Sequence, residues 1–274
     1  MKAGRHFLKV ASPLAAAAAI AMAVPAPAGA GEAKRKILIV ASNAVDAGDV
    51  DKTDARNNLW EIAPPYHVFA MNGYEVDFVS PEGGKLPFSR DVDETDPPGM
   101  ISYTIRFEGF REKADNSLTP GEVDPDRYAA FFIGGGFGPL FDVARDPELL
   151  ALMGRIYDSG GVAGACGHGP GGLANVELPD GANMVAGKRV TGFPNSSELE
   201  SRWSRQGSLL PFLVEDALRA RGGLFQTKDD LPDKHDIVID ERLVTTMFLP
   251  SCAIAAKEMV DILEARPAVP VQGH

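Results

Sequence analysis

Two loops carry the residues whose types and order could do chemistry. The first is Ala165-Cys166-Gly167-His168-Gly169-Pro170, which joins the apolar run from Val162 to a proline able to open a helix. A strand, a sharp glycine-containing turn and a helix start describe a nucleophile elbow. A thiol there would feel the helix N-terminus, which lowers a cysteine pKa. His168 could act as an acid/base or orient a substrate. The plainer role for Cys166 is that of a small buried strand residue. The second loop is Gly134-Gly135-Gly136-Phe137-Gly138. Gly135 and Gly136 let backbone N–H groups approach a ligand and could build an oxyanion hole; a tight turn needing positive φ is the alternative. The spacing does not give G-x-G-x-x-G, so a dinucleotide site is discounted.

Both loops need strands that end in the same place, because ligands of open α/β sheets bind outside the C-terminal strand ends. Lys36–Ala41, Glu75–Ser80, Tyr128–Ile133, Val162–Cys166 and Lys188–Gly192 read as strands, several of them continuous apolar runs. Helices are expected over Leu59–Asn72, with Pro64 and Pro65 in an early turn and Gly73 as C-cap, over Asp146–Ser159 and Leu209–Ala220, and from about Pro170. Ile237–Ile239 and Leu243–Thr245 suggest a hairpin, and Ile254–Leu263 a closing helix. Residues 85–127 read as an insertion with one short strand at Ile101–Ile105. The alternation implies an α/β fold: one domain, a mostly parallel sheet and helices on both faces.

The N-terminus reads as an export signal. Lys2, Arg5 and Lys9 precede an apolar run from Val10 to Val24, and Ala28-Gly29-Ala30 fits a cleavage site. The expected organisation is a signal peptide over residues 1–30, an α/β domain over 31–265 and a frayed tail over 266–274, in a periplasmic or secreted protein. Cleavage removes three positive charges and takes the net charge from −11 to −14. An acidic surface repels phosphate backbones, so no nucleic-acid partner is expected, and none in a membrane after cleavage. The two cysteines, Cys166 and Cys252, do not make a disulfide scaffold, and the sequence alone does not say whether they pair. His67 and His235 read as surface or helix residues, and no spacing suggests a metal site.

Several runs, taken together and in order, resemble the PfpI/ThiJ superfamily, whose fold is the flavodoxin-like one of class I glutamine amidotransferases. Phe132-Ile133-Gly134-Gly135-Gly136-Phe137-Gly138-Pro139-Leu140-Phe141-Asp142 is similar to that family's F-I-P-G-G-H-G-x-x-x-D. Cys166-Gly167-His168-Gly169-Pro170-Gly171-Gly172-Leu173 resembles V-C-H-G-P-A-x-L, and Gly187 to Glu198 resembles G-K-x-V-T-G-F-T-N-x-E-E. Trp60-Glu61, Pro65 and Gly73 to Gly84 match the family's N-terminal third. The closest branch looks like the glyoxalase III and chaperone-type proteins. In that branch a cysteine, the histidine after it and a downstream acid form the reactive group beside an early glutamate. The resemblance carries the last three of these roles to His168, Glu198 and Glu61, and implies no cofactor.

The nucleophile carries over in two ways. Aligned without gaps on His168-Gly169-Pro170, the cysteine position falls on Gly167, and Cys166 sits one residue early with its side chain on the other face. With a shorter loop before the strand and one extra residue in the elbow, Cys166 is the nucleophile. Phe137 replaces a family histidine, and Thr245 to Cys252 replaces a polar family segment, so the pocket is expected to be more apolar. Three functions follow. One is a glyoxalase III-like enzyme taking a small 2-oxoaldehyde to a 2-hydroxy acid. Another is a catalytically silent relative binding a small carbonyl ligand. The third is a chaperone-like protein with an exposed apolar patch and a homodimer interface.

Overall fold

The computed structural model describes residues 36–89, 99–231 and 236–265. The expected signal segment, the tail and His235 lie outside them. The described strands are β1 (Lys36–Val40), β2 (Val76–Val79), β3 (Tyr128–Ile133), β4 (Val162–Cys166), β5 (Arg189–Val190), β6 (Leu224–Phe225), β7 (Ile237–Asp240) and β8 (Leu243–Thr246). The described α-helices are α1 (Leu59–Met71), α2 (Gly99–Phe107), α3 (Phe110–Asp115), α4 (Gly138–Phe141), α5 (Pro147–Asp158), α6 (Asn195–Glu198), α7 (Val214–Ala220) and α8 (Cys252–Glu264).

The main sheet has the order β2-β1-β3-β4-β8-β7. All its pairings are parallel except the β7–β8 hairpin at the edge. β3 and β4 are buried along their whole length, as continuous apolar runs require when both faces are covered. Alternate side chains feed two cores. Ile37, Ile39, Phe78 and Phe132 pack against α1 and α8, while Leu38, Val40, Phe131 and Ile133 pack against α5. A Cβ on Gly164 would lie 2.2 Å from the Met259 sulfur and 2.8 Å from a ring carbon of Phe132, so glycine makes the room that the Met259 side chain of α8 fills against β4.

Several expectations differ from the structure. Ile101–Ile105 is helical, within α2; Ile101 and Thr104, three apart, are its buried face. Lys188–Gly192 contributes only β5, which pairs with β6 in a separate two-stranded ladder rather than joining the main sheet. The helix expected from Leu209 begins at Val214, after Pro211 and a series of turns. Pro64 and Pro65 lie inside α1 rather than in its first turn. Pro65 has no N–H to give the carbonyl of Glu61, four residues back. Among the described residues no helix is long and apolar enough to cross a membrane.

Candidate active site

β3, β4 and β8 run parallel, so their C-terminal ends converge. β4 ends at Cys166, and Gly167 turns the chain with φ of +60°. Its N–H donates to the Thr246 carbonyl at 3.1 Å, and its own carbonyl accepts from Phe193 N–H at 2.8 Å. His168 then enters a five-residue 3-10 turn, Gly169–Leu173. The α-helix expected from Pro170 is absent at this point, so the expected helix dipole at the elbow is reduced to that of one short turn.

Gly167 occupies the crest, and it must be small for a second reason. A Cβ there would lie 2.3 Å from Oε2 of Glu61, and a Cβ on Gly135 only 1.4 Å from the same oxygen. The Glu61 carboxyl therefore lies in the crevice left by two glycines. It gets there from the first turn of α1, where Asn58 is the N-cap: its side chain accepts from Trp60 N–H at 3.1 Å and donates to Glu61 Oε1 at 2.9 Å. Burial pushes the Glu61 carboxyl up to about 8, against the smaller opposing effect of the Asn58 hydrogen bond. At neutral pH it is mostly a neutral acid and hydrogen-bond donor.

Cys166, the nucleophile in the gapped of the two alignments, is instead half of a disulfide with Cys252 at the start of α8, with Cα atoms 5.5 Å apart. The reason is the alternation along β4: the last strand residue points under the sheet, toward α1 and α8, and the crest belongs to the next residue. The sulfur still lies 3.7 Å from Glu61 Oε2 and 3.8 Å from the carbonyl that Pro65 leaves without a helical donor. Glu61 and the two sulfurs place ligand-type atoms within 4.8 Å of one another, a grouping the linear spacing did not suggest. Joined to each other, the sulfurs offer no thiolate to a metal.

His168 and Glu198 do meet. Nε2 of the imidazole lies 2.6 Å from Glu198 Oε2, and the hydroxyl of Ser204 donates to the other carboxylate oxygen. Burial alone would raise the Glu198 carboxyl; the hydrogen bond and charge of His168, with Ser204, outweigh it and hold the group below the usual range. The carboxylate thus fixes the proton on Nε2 and leaves Nδ1 for a ligand. Phe137 and Phe193 flank the imidazole, and Phe248 packs on Phe193. The Gly134–Gly138 loop is anchored from behind by Asp142, whose Oδ2 accepts from Ser42 Oγ at 2.8 Å and Asn43 N–H at 2.7 Å. Among the described residues, the N–H groups of Gly135 and Gly136 make no backbone hydrogen bond. A separate apolar recess of about 430 Å³, lined by Trp60, Pro64, Ile101, Leu249 and Pro250 among others, holds no titratable group.

Sequence reasoning missed Asn58 and Ser204. The pattern Asn58-x-x-Glu61 ahead of an apolar helix is a readable cap signal. Ser204 lies in a run of turns with no periodicity to mark it.

The model of the DJ-1/PfpI family matches residues 55–247. The chain is 29% identical over 248 residues to the glutathione-independent glyoxalase HSP31 of Saccharomyces cerevisiae, covering 85% of this chain and 99% of that one. It is 27% identical over 214 residues to glyoxalase 3 of Candida albicans, covering 74% and 88% of the two chains. The crystal structure of glyoxalase III from Candida albicans superposes with a TM-score of 0.70 at 24% identity, over 83% of this chain and 97% of that one. The Francisella tularensis rapid encystment protein of 24 kDa gives 0.74 at 24% identity, over 84% and 99%.

Proposed function

The chain belongs to the DJ-1/PfpI family, and from that premise we propose that it binds a small carbonyl compound in a glyoxalase III-like pocket that lacks a sulfur nucleophile. The observation that carries this reading is the glycine at the crest, with the neighbouring cysteine bonded to Cys252. What surrounds the crest is hydrogen-bonding and proton-transfer equipment. The neutral Glu61 carboxyl can donate to a carbonyl or hydrate oxygen, His168 Nδ1 can accept, and the Gly135 and Gly136 amides can hold developing negative charge. Covalent capture of an aldehyde carbon, the step that a thiol would supply, has no atom to perform it.

A second reading is favoured by one distance, the 3.7 Å between the Cys166 sulfur and Glu61 Oε2. Thiol–disulfide exchange with an external dithiol, which is itself oxidised to its disulfide, reduces the Cys166–Cys252 bond and frees a thiol beside that carboxyl. In that state Cys166 adds to the aldehyde carbon, and Glu61 and His168 move the proton from that carbon to its neighbour. Water then cleaves the resulting thioester to a 2-hydroxy acid and restores the thiol. Export, on the strength of the N-terminal pattern, would keep the chain where disulfides persist and would favour the silent state.

Carbon-13 NMR of labelled methylglyoxal with the disulfide-intact chain tests the proposal. The hydrate resonances are expected to broaden or shift on binding, while lactate forms no faster than in buffer. Lactate production by the oxidised chain that disappears in Cys166→Ala would overturn it.

A further inference from the structure

Two phenyl rings wall the imidazole of His168 and a third backs one of them, and the three follow the C-terminal ends of three different strands. Phe137, after β3, meets it edge-on at 4.9 Å between ring centroids. Phe193, after β5, stacks on it at 4.4 Å with 21° between the planes. Phe248, after β8, packs edge-on against Phe193 at 5.8 Å. These rings differ from the other phenylalanines near the sheet: Phe69, Phe78, Phe131 and Phe132 are fully buried, whereas Phe137, Phe193 and Phe248 are each only partly buried.

Their position is fixed by backbone. The hydrogen bond from Phe193 N–H to the Gly167 carbonyl ties that ring to the crest, and Phe137 lies in the glycine loop itself. A phenyl ring is a large apolar surface with a preference for edge-to-face or offset partners, and here that surface stands beside the buried His168–Glu198 pair. A methyl-sized substituent would leave most of the wall in water. A planar ring of the ligand would cover it. The chain's net charge of −11 disfavours anionic ligands.

We infer that the pocket selects neutral carbonyl compounds bearing an aryl group, with the ring against Phe137, Phe193 and Phe248 and the carbonyl at the Gly167–His168 turn. This substrate class rests on the carbonyl-binding reading above. The probes are 2-hydroxyacetophenone and hydroxyacetone, neutral ketones that differ only in phenyl against methyl. Titration of the disulfide-intact chain, followed by NMR, is expected to show the aryl ketone binding at least about tenfold more tightly, a difference of about 1.4 kcal/mol. In Phe248→Leu, which keeps an apolar side chain, and in Phe137→Leu, the ratio is expected to fall to about twofold, because the aryl ketone loses more of its affinity than hydroxyacetone does. Equal affinities for the two ketones in the parent chain would overturn the aryl preference and leave the carbonyl-binding reading standing. Failure of both to bind would overturn the two together, and an unchanged ratio in both variants would remove the phenyl wall as the cause.

Discussion

Replacing Cys252 with alanine is expected to lower the stability of the chain by about 4–5 kcal/mol. The disulfide closes a segment with a sequence separation of 86 between its ends, so it removes a large share of the unfolded chain's freedom. In the folded chain it joins the end of β4 to the first residue of α8, and both half-cystines are fully buried. The bond therefore fastens the helix to the strand that carries the crest. Losing it also leaves a small void and a buried thiol in the cluster that includes Ile62, Ala63 and Met259. The check is urea unfolding of parent and Cys252→Ala, with a Tm drop on the order of 10 °C expected for a chain of this size. A change below about 1 kcal/mol would mean that the bridge contributes little constraint.

The second large effect concerns Glu61. Its carboxyl titrates near 8 when folded, against an ordinary value of 4.5. Between those values the folded chain holds a proton that the unfolded chain has released, so stability falls as pH rises through this window. The stabilising contribution of the neutral acid is full below the ordinary value. It is lost by the time the pH passes the folded value, where a bare carboxylate would lie between Gly135, Gly167 and the disulfide. Glu61→Gln keeps the shape and the hydrogen-bonding capacity but cannot ionise. Relative to this variant, the parent is expected to lose on the order of a few kcal/mol between pH 5 and pH 8. Unfolding of both chains across that range isolates Glu61 from the other titrating groups. Parallel stability curves would contradict its placement in a dry crevice.

The sheet was legible because its strands are short continuous apolar runs, and β1, β3 and β4 fall where such runs stand. α1, α5 and α8 were legible from amphipathic spacing and caps. α2 was not, because a five-residue stretch such as Ile101–Ile105 mixes β-branched and polar residues, and only packing decides its period. β5 was read as a strand correctly but its partner, β6, is a two-residue element with no sequence signal of its own. At the site, His168 and Glu198 carried over from motif to geometry, since the Phe193 N–H to Gly167 carbonyl hydrogen bond brings the segment before Glu198 back to the turn that holds His168. The crest was ambiguous for a physical reason. The sequence counts residues through the loop before β4, whereas which face each residue takes depends on where the strand begins. Cys252 lies too far along the chain for spacing to betray its partner, and the crevice that holds Glu61 is made of the absence of two side chains.

Alkylation of the native chain by iodoacetamide, read by intact mass and peptide mapping, addresses the missing nucleophile most directly. Protein purified without reductant should gain no mass and yield a peptide pair cross-linked through residues 166 and 252. A native chain that takes up one carbamidomethyl group on Cys166, and loses carbonyl turnover as it does so, would contradict the account.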